Sequence, residues 1–336
     1  MNLLGVPDLL TSSQTSRSIS NVSQDLARVS QELSSGLNSN IVEASGGDPG
    51  KLYAIERELR MNEVQKFSIA QAKGRSGVSQ AALEQVQSAV GELGAPLLAS
   101  VTQNDRNASS IIASGAHSAF SQVISSLNSQ FGERSLFAGA ATDGPALASA
   151  DDILSDLATA IAGAADAGEV LNAVNSYFSD PAGFQATGSL GSGLDASNVE
   201  LDNGETVTFA IRADAAEILE TLSALAIAVI GAEGGFVGDT ADERQSLLGE
   251  AGRRAISANE QIIELKGELG IAEERFDEAA VRIEAEEDLL QQARSSIAAR
   301  DPFEAAVELS AIETQVQAVF SITARLSGLT LTNLIR

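Results

Sequence analysis

The chain of 336 residues has one histidine, His117, and no cysteine, so thiol nucleophiles, thiolate metal sites and disulfides are excluded at once. A hydrolase of the H-E-x-x-H kind needs two histidines on one helix face. A serine nucleophile would need His117 as its base and a G-x-S-x-G elbow, which does not occur. The one Gly-Lys pair, Gly50-Lys51, is followed by Leu52 rather than by the hydroxyl residue of a phosphate loop. Gly188, Gly191 and Gly193 are in the wrong order for a dinucleotide fingerprint, and no β-α-β alternation surrounds them. The carboxylates Glu284, Glu286, Glu287 and Asp288 are the donor type that holds a hard cation, but they fall on a helical stretch and read as a solvated face, with Glu286 a register residue in a helical seam. No catalytic residue, cofactor or metal ligand is expected. The chain reads as a structural or binding protein and not as an enzyme.

The charge agrees. With 21 basic residues against 46 acidic ones the net charge is −25, which repels phosphate backbones and anionic lipid, so neither nucleic acid nor membrane is an expected partner. Residues 1–137 carry 10 basic and 12 acidic residues, 138–240 carry 1 and 16, and 241–336 carry 10 and 18. More than half of the excess therefore sits in the middle third, where Arg212 is the only base.

Both flanks read as helix, and spacing is the evidence. Toward the C-terminus, apolar positions step by 3 and 4 through Leu248, Ala251, Ala255, Ala258, Ile262, Leu265, Leu269, Ala272, Phe276, Ala279 and Ile283, then Leu290, Ala293 and Ile297, with Glu286 the one polar exception. About 50 residues at 1.5 Å each give a rod of roughly 75 Å, so an elongated molecule is expected. Asp301 suits an N-cap and Pro302 the first position of the next helix, which carries Leu309, Ile312, Val316, Val319 and Leu326, then Leu331 and Leu334. The N-terminal end mirrors this with Ile19, Val22, Leu26, Val29 and Leu33 before Gly36. A long helical pattern runs from Lys51 to Leu93, where Gly94, Ala95 and Pro96 predict an interruption or kink. In the middle, helices are predicted at about 151–162, 167–177 and 214–230, with two short strands over 199–211 turning at Asn203-Gly204.

The expected fold is thus mainly α: an elongated rod of long coiled-coil helices drawn from both termini, with a small α+β insert. Its parts are an N-terminal assembly helix and loop at 1–50, the two halves of the helical rod at 51–137 and 241–300, an acidic surface insert at 138–240, and a C-terminal assembly helix at 301–336. The seam residues proposed to drive assembly are Ile19, Val22, Leu26, Val29, Leu33, Ile262, Leu265, Leu269, Phe276, Ile283, Leu290, Ile297, Ile312, Val316, Val319, Leu326, Leu331 and Leu334.

Three segments in order resemble the flagellin superfamily of bacterial flagellar axial proteins, and within it the hook-filament junction (hook-associated protein 3) family. The first is Leu33-Ser34-Ser35-Gly36 followed by Gly46-Gly47-Asp48-Pro49, similar to that family's S-G…D-D-P loop, with Gly47 at an acidic position. The second is Arg134-Ser135-Leu136-Phe137-Ala138-Gly139 with Thr142, Asp143, Gly144 and Pro145, similar to its F-A/S-G…T…P turn. The third runs from Asp301-Pro302-Phe303-Glu304 to Ala324-Arg325-Leu326-Ser327-Gly328-Leu329-Thr330-Leu331-Thr332-Asn333-Leu334, similar to its A-R-L-S-x-L-S-L-x-N-x-L ending. The resemblance covers about 1–145 and 241–336. It implies a structural subunit of the flagellum that joins hook to filament, self-associates in a ring, and has hook-associated protein 1 and flagellin as neighbours. It also implies an export chaperone, passage through the flagellar export apparatus, and an extracellular location reached without a cleaved signal peptide. Flagellin itself and a secreted coiled-coil adhesin are the competing readings.

Overall fold

A computed structural model describes residues 6–40, 49–196, 198–201 and 204–334. The described elements are α1 (Val6–Ser35), α2 (Gly50–Thr102), α3 (Arg106–Ala113), α4 (Ala116–Leu127), β1 (Gln130–Phe131), β2 (Arg134–Ser135), α5 (Ala150–Ile161), α6 (Ala167–Ser179), α7 (Phe184–Thr187), β3 (Val199–Glu200), β4 (Thr206–Val207), α8 (Ala216–Glu233), α9 (Ala241–Ala298) and α10 (Pro302–Leu334). The chain is mainly helical, with long helices pairing and only two-stranded sheets, as the periodicity predicts. It divides into two compact units, one of residues 1–63 with 284–336 and the other of 64–283.

In the unit of 64–283, α2 and α9 run antiparallel. Lys73 pairs with Asp277 and Lys266 with Glu84, while Gly94 lies on Ala255 and Gly252 on Leu98. Every apolar seam position of α9 from Leu248 to Ile283 is buried. The facing stripe on α2 steps by the same 3 and 4 through Ile69, Ala72, Ser76, Ser79, Leu83, Val86, Val90, Leu93, Leu97 and Ser100, all buried. Three of these ten are serines, so apolar spacing alone hides the stripe.

Of the interruption or kink expected at Gly94-Ala95-Pro96, the interruption does not occur; α2 continues to Thr102 with Pro96 inside it. The glycine serves close packing and not a turn: a Cβ on Gly94 would lie 3.0 Å from the Cβ of Ala255, and one on Gly252 would lie 3.0 Å from the Leu98 nitrogen. Pro96 is exposed; it removes the hydrogen bond its own N–H would have given and crowds the carbonyl four residues back.

The middle segment shares this core. Helix α8 is buried all round, from Thr221 to Gly231, and packs against α3, α4 and α6. A helix apolar on every side belongs inside an assembly of helices, which is why its periodicity is weak. Its two buried hydroxyls are both met: Thr221 donates to the Glu217 carbonyl at 2.9 Å, and Arg254 donates to Ser223 Oγ at 3.0 Å and also to Asn175 Oδ1 on α6 at 2.8 Å. The strands are shorter than predicted: β3 and β4 pair only at Val199 with Val207 and Glu200 with Thr206. Past Val207 the chain turns inward, and Phe209 meets Phe276 edge-on with centroids 5.4 Å apart. Asn203, the predicted turn residue, lies outside the described residues, and Gly204 beside it has φ +78°.

In the unit of 1–63 with 284–336, α1 packs on α10. Val22, Val29 and Ile312 are buried there, with Leu26, Leu309 and Val316 partly buried around them.

Candidate functional site

Where α1 ends, Gly36 takes φ +69° and its N–H donates to the Glu32 carbonyl at 2.8 Å, the glycine cap that the spacing predicts. Where α9 ends, Ala298 to Asp301 form a second turn. The two turns are bonded together: the Asn38 N–H donates to the Ala298 carbonyl at 2.8 Å, and the Arg300 N–H donates to the Gly36 carbonyl at 3.0 Å. Thus Leu33–Gly36 and Asp301–Glu304, two of the motif segments quoted above, meet in space. Asp301 caps α10 through the Phe303 N–H at 2.8 Å.

Glu32 is the centre of this junction of turns. It is 0% exposed, accepts from the Ser39 N–H at 2.9 Å, and faces Arg28 at 3.4 Å and Arg300 at 3.7 Å. The same two arginines reach Glu308 on α10, Arg28 at 3.1 Å and Arg300 in direct contact. Burial raises the Glu32 pKa, but the Ser39 N–H and the Arg28 guanidinium outweigh it and hold the carboxyl below its ordinary value. Arg28 is correspondingly raised, first by its bond to Glu308. Four charges from three helix ends therefore fix the path of the chain between α1, α9 and α10.

The second motif segment, Arg134–Gly139 with Thr142–Pro145, ties down the middle of the chain. The Ala213 N–H donates to the Phe137 carbonyl, the Ser192 N–H to Ala138 and the Ala140 N–H to Leu194, each at 2.9 Å. Gly139 sits among them at φ +60°, and a Cβ there would lie 2.4 Å from the Leu194 carbonyl oxygen. Only glycine fits. Upstream, Phe131-Gly132-Glu133-Arg134 forms a two-residue hairpin with positive φ at both Gly132 and Glu133. No Asn-Gly or Asp-Gly pair announces it in the sequence.

The proposed seam residues fall into three groups. Ile262, Leu265, Leu269, Phe276 and Ile283 are buried in the core of 64–283. Val22, Val29 and Ile312 are buried between α1 and α10, and Leu26 and Val316 pack beside them. Ile19, Leu290, Ile297 and Val319 are half-buried and Leu33 is exposed. The side chains of Leu326, Leu331 and Leu334 lie outside the described residues. Glu286, expected inside the seam, is exposed: the seam stays dry only to Ile283. Sequence reasoning missed Glu32, Arg28 and Arg300, whose one signal is their place at the mouths of two predicted turns.

His117 has a structural post. Its Nδ1 is 3.1 Å from Glu233 at the end of α8 and its Nε2 is 3.5 Å from Asp151 at the start of α5. The bond to Glu233, and then Asp151, raises its pKa above the ordinary 6.5. A raised folded pKa means the stabilisation is complete below the unfolded value and fades as pH rises through the folded one. As the chain's one histidine, its ring protons should titrate in NMR with a midpoint above 6.5; a midpoint at or below it would mean that the carboxylates do not hold the ring.

Among the described residues, no group of carboxylates and histidine is placed to hold a metal ion, and no helix is long and apolar enough to cross a membrane. Residues 242–335, which take in nearly all of α9, the turn after it and α10, match the family model of the bacterial flagellin C-terminal helical region. Over that stretch the chain is similar to flagellin. No curated protein sequence matches it. Among 28 matching chains of solved structures is a candidate flagellar hook-associated protein from Vibrio parahaemolyticus. The two are 14% identical with a TM-score of 0.50, over 73% of this chain and 95% of the other. At that identity the likeness is one of fold.

Proposed function

We propose that this flagellin-like protein is an axial subunit at the junction between hook and filament, held in place by its terminal helices. The observation that carries the reading is the bonding of Gly36 and Asn38 to Arg300 and Ala298, which ties together the turns beside Leu33–Gly36 and Asp301–Glu304, two segments that resemble the hook-filament junction family. The fold shared with a hook-associated protein supports it. Helix α10 leaves Phe303, Val307, Phe320 and Ile322 more than half exposed, and burying each against neighbouring subunits would contribute about 1.5 to 3 kcal/mol. Those neighbours are hook-associated protein 1 on one side and flagellin on the other, with copies of this chain forming the ring. Before assembly the same apolar helix needs cover from an export chaperone, and the subunit reaches the outside of the cell through the flagellar export apparatus.

Flagellin is the second reading, favoured by the match to the flagellin C-terminal region itself. Gold-labelled antibody on intact cells separates the two. A single labelled band where hook meets filament is expected. Label along the whole filament would replace the junction reading with the flagellin one.

A further inference from the structure

Helix α9 carries apolar residues on two sides, and only one side is filled. Opposite the buried seam, Ile256, Ile263 and Ile271 recur at steps of 7 and 8, so at 100° per residue they fall within about 80° of one another around the helix. They are 36%, 48% and 55% exposed. A single exposed isoleucine needs no explanation. Three in line along roughly 24 Å of one helix are the pattern of anchors by which a second helix is received.

Gly267, in the same line, is a second observation. Glycine in a helix interior is destabilising relative to alanine, and at Gly94 and Gly252 a close contact with the facing helix offsets this. At Gly267 nothing within the chain does: the residue is exposed, and a Cβ there would meet nothing within 4 Å. Bare backbone in the middle of an apolar line lets a partner helix approach closely. Along one edge of the line stand Glu260, Glu264 and Glu268, all exposed and spaced by four. None of the three is in an ion pair among the described residues, and Lys266, between two of them in sequence, is taken by Glu84 and Gln87. The unit of 64–283 has 12 basic residues against 30 acidic ones, so a second copy would bring mostly more carboxylate to this edge. No described helix of the chain carries three basic residues in succession at steps of 3 or 4.

We propose that this face of α9 docks a basic amphipathic helix of another protein. The apolar stripe of that helix lies on Ile256, Ile263 and Ile271, its backbone comes closest at Gly267, and its Lys or Arg residues, spaced by four, meet Glu260, Glu264 and Glu268. The isoleucine line supplies the affinity. The glutamate edge fixes the register and rejects acidic helices of the same apolar pattern. The contact is independent of the junction reading, because it uses no residue of α1 or α10.

The test is fluorescence anisotropy with the full chain and a labelled synthetic helix that carries leucines at steps of 3 and 4 flanked by lysines, beside a second peptide with each lysine replaced by glutamate. The lysine peptide should bind saturably, and the glutamate peptide at least about tenfold more weakly. Ile263→Gln/Ile271→Gln and Glu260→Gln/Glu264→Gln/Glu268→Gln should each weaken the lysine peptide at least about tenfold. Both variants should melt like the wild type by circular dichroism, because every altered side chain is exposed. Gly267→Gln should melt no lower than the wild type, glutamine being the better helix former, and should still bind more weakly. Glu92→Gln/Asp143→Asn/Glu200→Gln removes as much charge from exposed positions elsewhere on the unit and should leave binding unchanged. Absence of binding, equal binding of the two peptides, full binding by any of the three face variants, or an equal loss in the control variant would overturn the docking face. So would self-association of the wild type that Ile263→Gln/Ile271→Gln abolishes, since the occupant would then be a second copy.

Discussion

Leu269→Asp should abolish the cooperative melt of the unit of 64–283, while Ile271→Asp two residues away should leave it nearly unchanged. Leu269 is 2% exposed and belongs to the continuous core shared by α2, α8 and α9; Ile271 is 55% exposed on the opposite side of the same helix. Truncating a buried leucine costs about 2 to 5 kcal/mol through lost burial and the cavity left behind. A carboxyl in its place adds several more, because it must ionise without a partner or take up a proton at neutral pH. Against a typical domain stability of about 5 to 15 kcal/mol, that sum removes most or all of it. Helix propensity does not account for the contrast, because both substitutions place the same residue in the interior of the same helix. Circular dichroism at 222 nm during heating reads the difference. Equal melting of the two variants would show that the α9 seam is not what holds the unit together.

The periodicity of α9 was legible because nearly every seam position is Leu, Ile, Ala or Phe, and nothing in an isolated helix competes with that pattern. Its partner stripe on α2 was not, since Ser76, Ser79 and Ser100 fill three of its ten places and small polar residues are silent in an apolar count. Small residues let the backbones approach, and Gly94 and Gly252 extend the same device. Read locally, however, Gly94-Ala95-Pro96 signals a stop. The glycine belongs to a tertiary contact with Ala255, and no window on one helix contains the other.

Of the site itself, the caps were legible and the chemistry between them was not. Gly36 and Asp301-Pro302 mark two chain reversals by rules that act within a few residues. That these reversals bond to one another, across some 260 positions of sequence, is a property of the folded chain. Glu32 looked like an ordinary polar residue in an exposed stretch of α1. It became a buried charge only because Arg300 and the Ser39 amide arrived from outside the helix. Two of the three motif segments carried by resemblance flank the junction of turns, but the resemblance does not say which of their atoms meet.

Glu32→Ala should therefore loosen the junction of turns without touching the other unit. The change leaves Arg300, whose Nε already lacks a hydrogen bond in the folded chain, with Glu308 as its one remaining carboxylate. Removing one member of a buried ion pair costs about 3 to 5 kcal/mol when both partners are fully buried. Arg28 is 40% exposed and Arg300 17%, so solvent screening brings the expected loss down to about 2 to 3 kcal/mol. Hydrogen exchange at the Asn38 and Arg300 amides, which carry the bonds between the two turns, should then speed up by at least about tenfold. Amides of α8 should exchange as before. Acid should act in the same direction on the wild type. A carboxylate held below its ordinary value of 4.5 contributes fully above that pH, and the contribution disappears as pH falls through the depressed folded pKa. After correction for intrinsic exchange rates, protection at Asn38 and Arg300 should fall on acidification below pH 4.5 in the wild type, and much less in Glu32→Gln. The variant starts lower because an amide gives the arginines no charge. If Glu32→Gln matched the wild type in both level and pH slope, the buried carboxylate would not be what ties α1 to the α9–α10 turn.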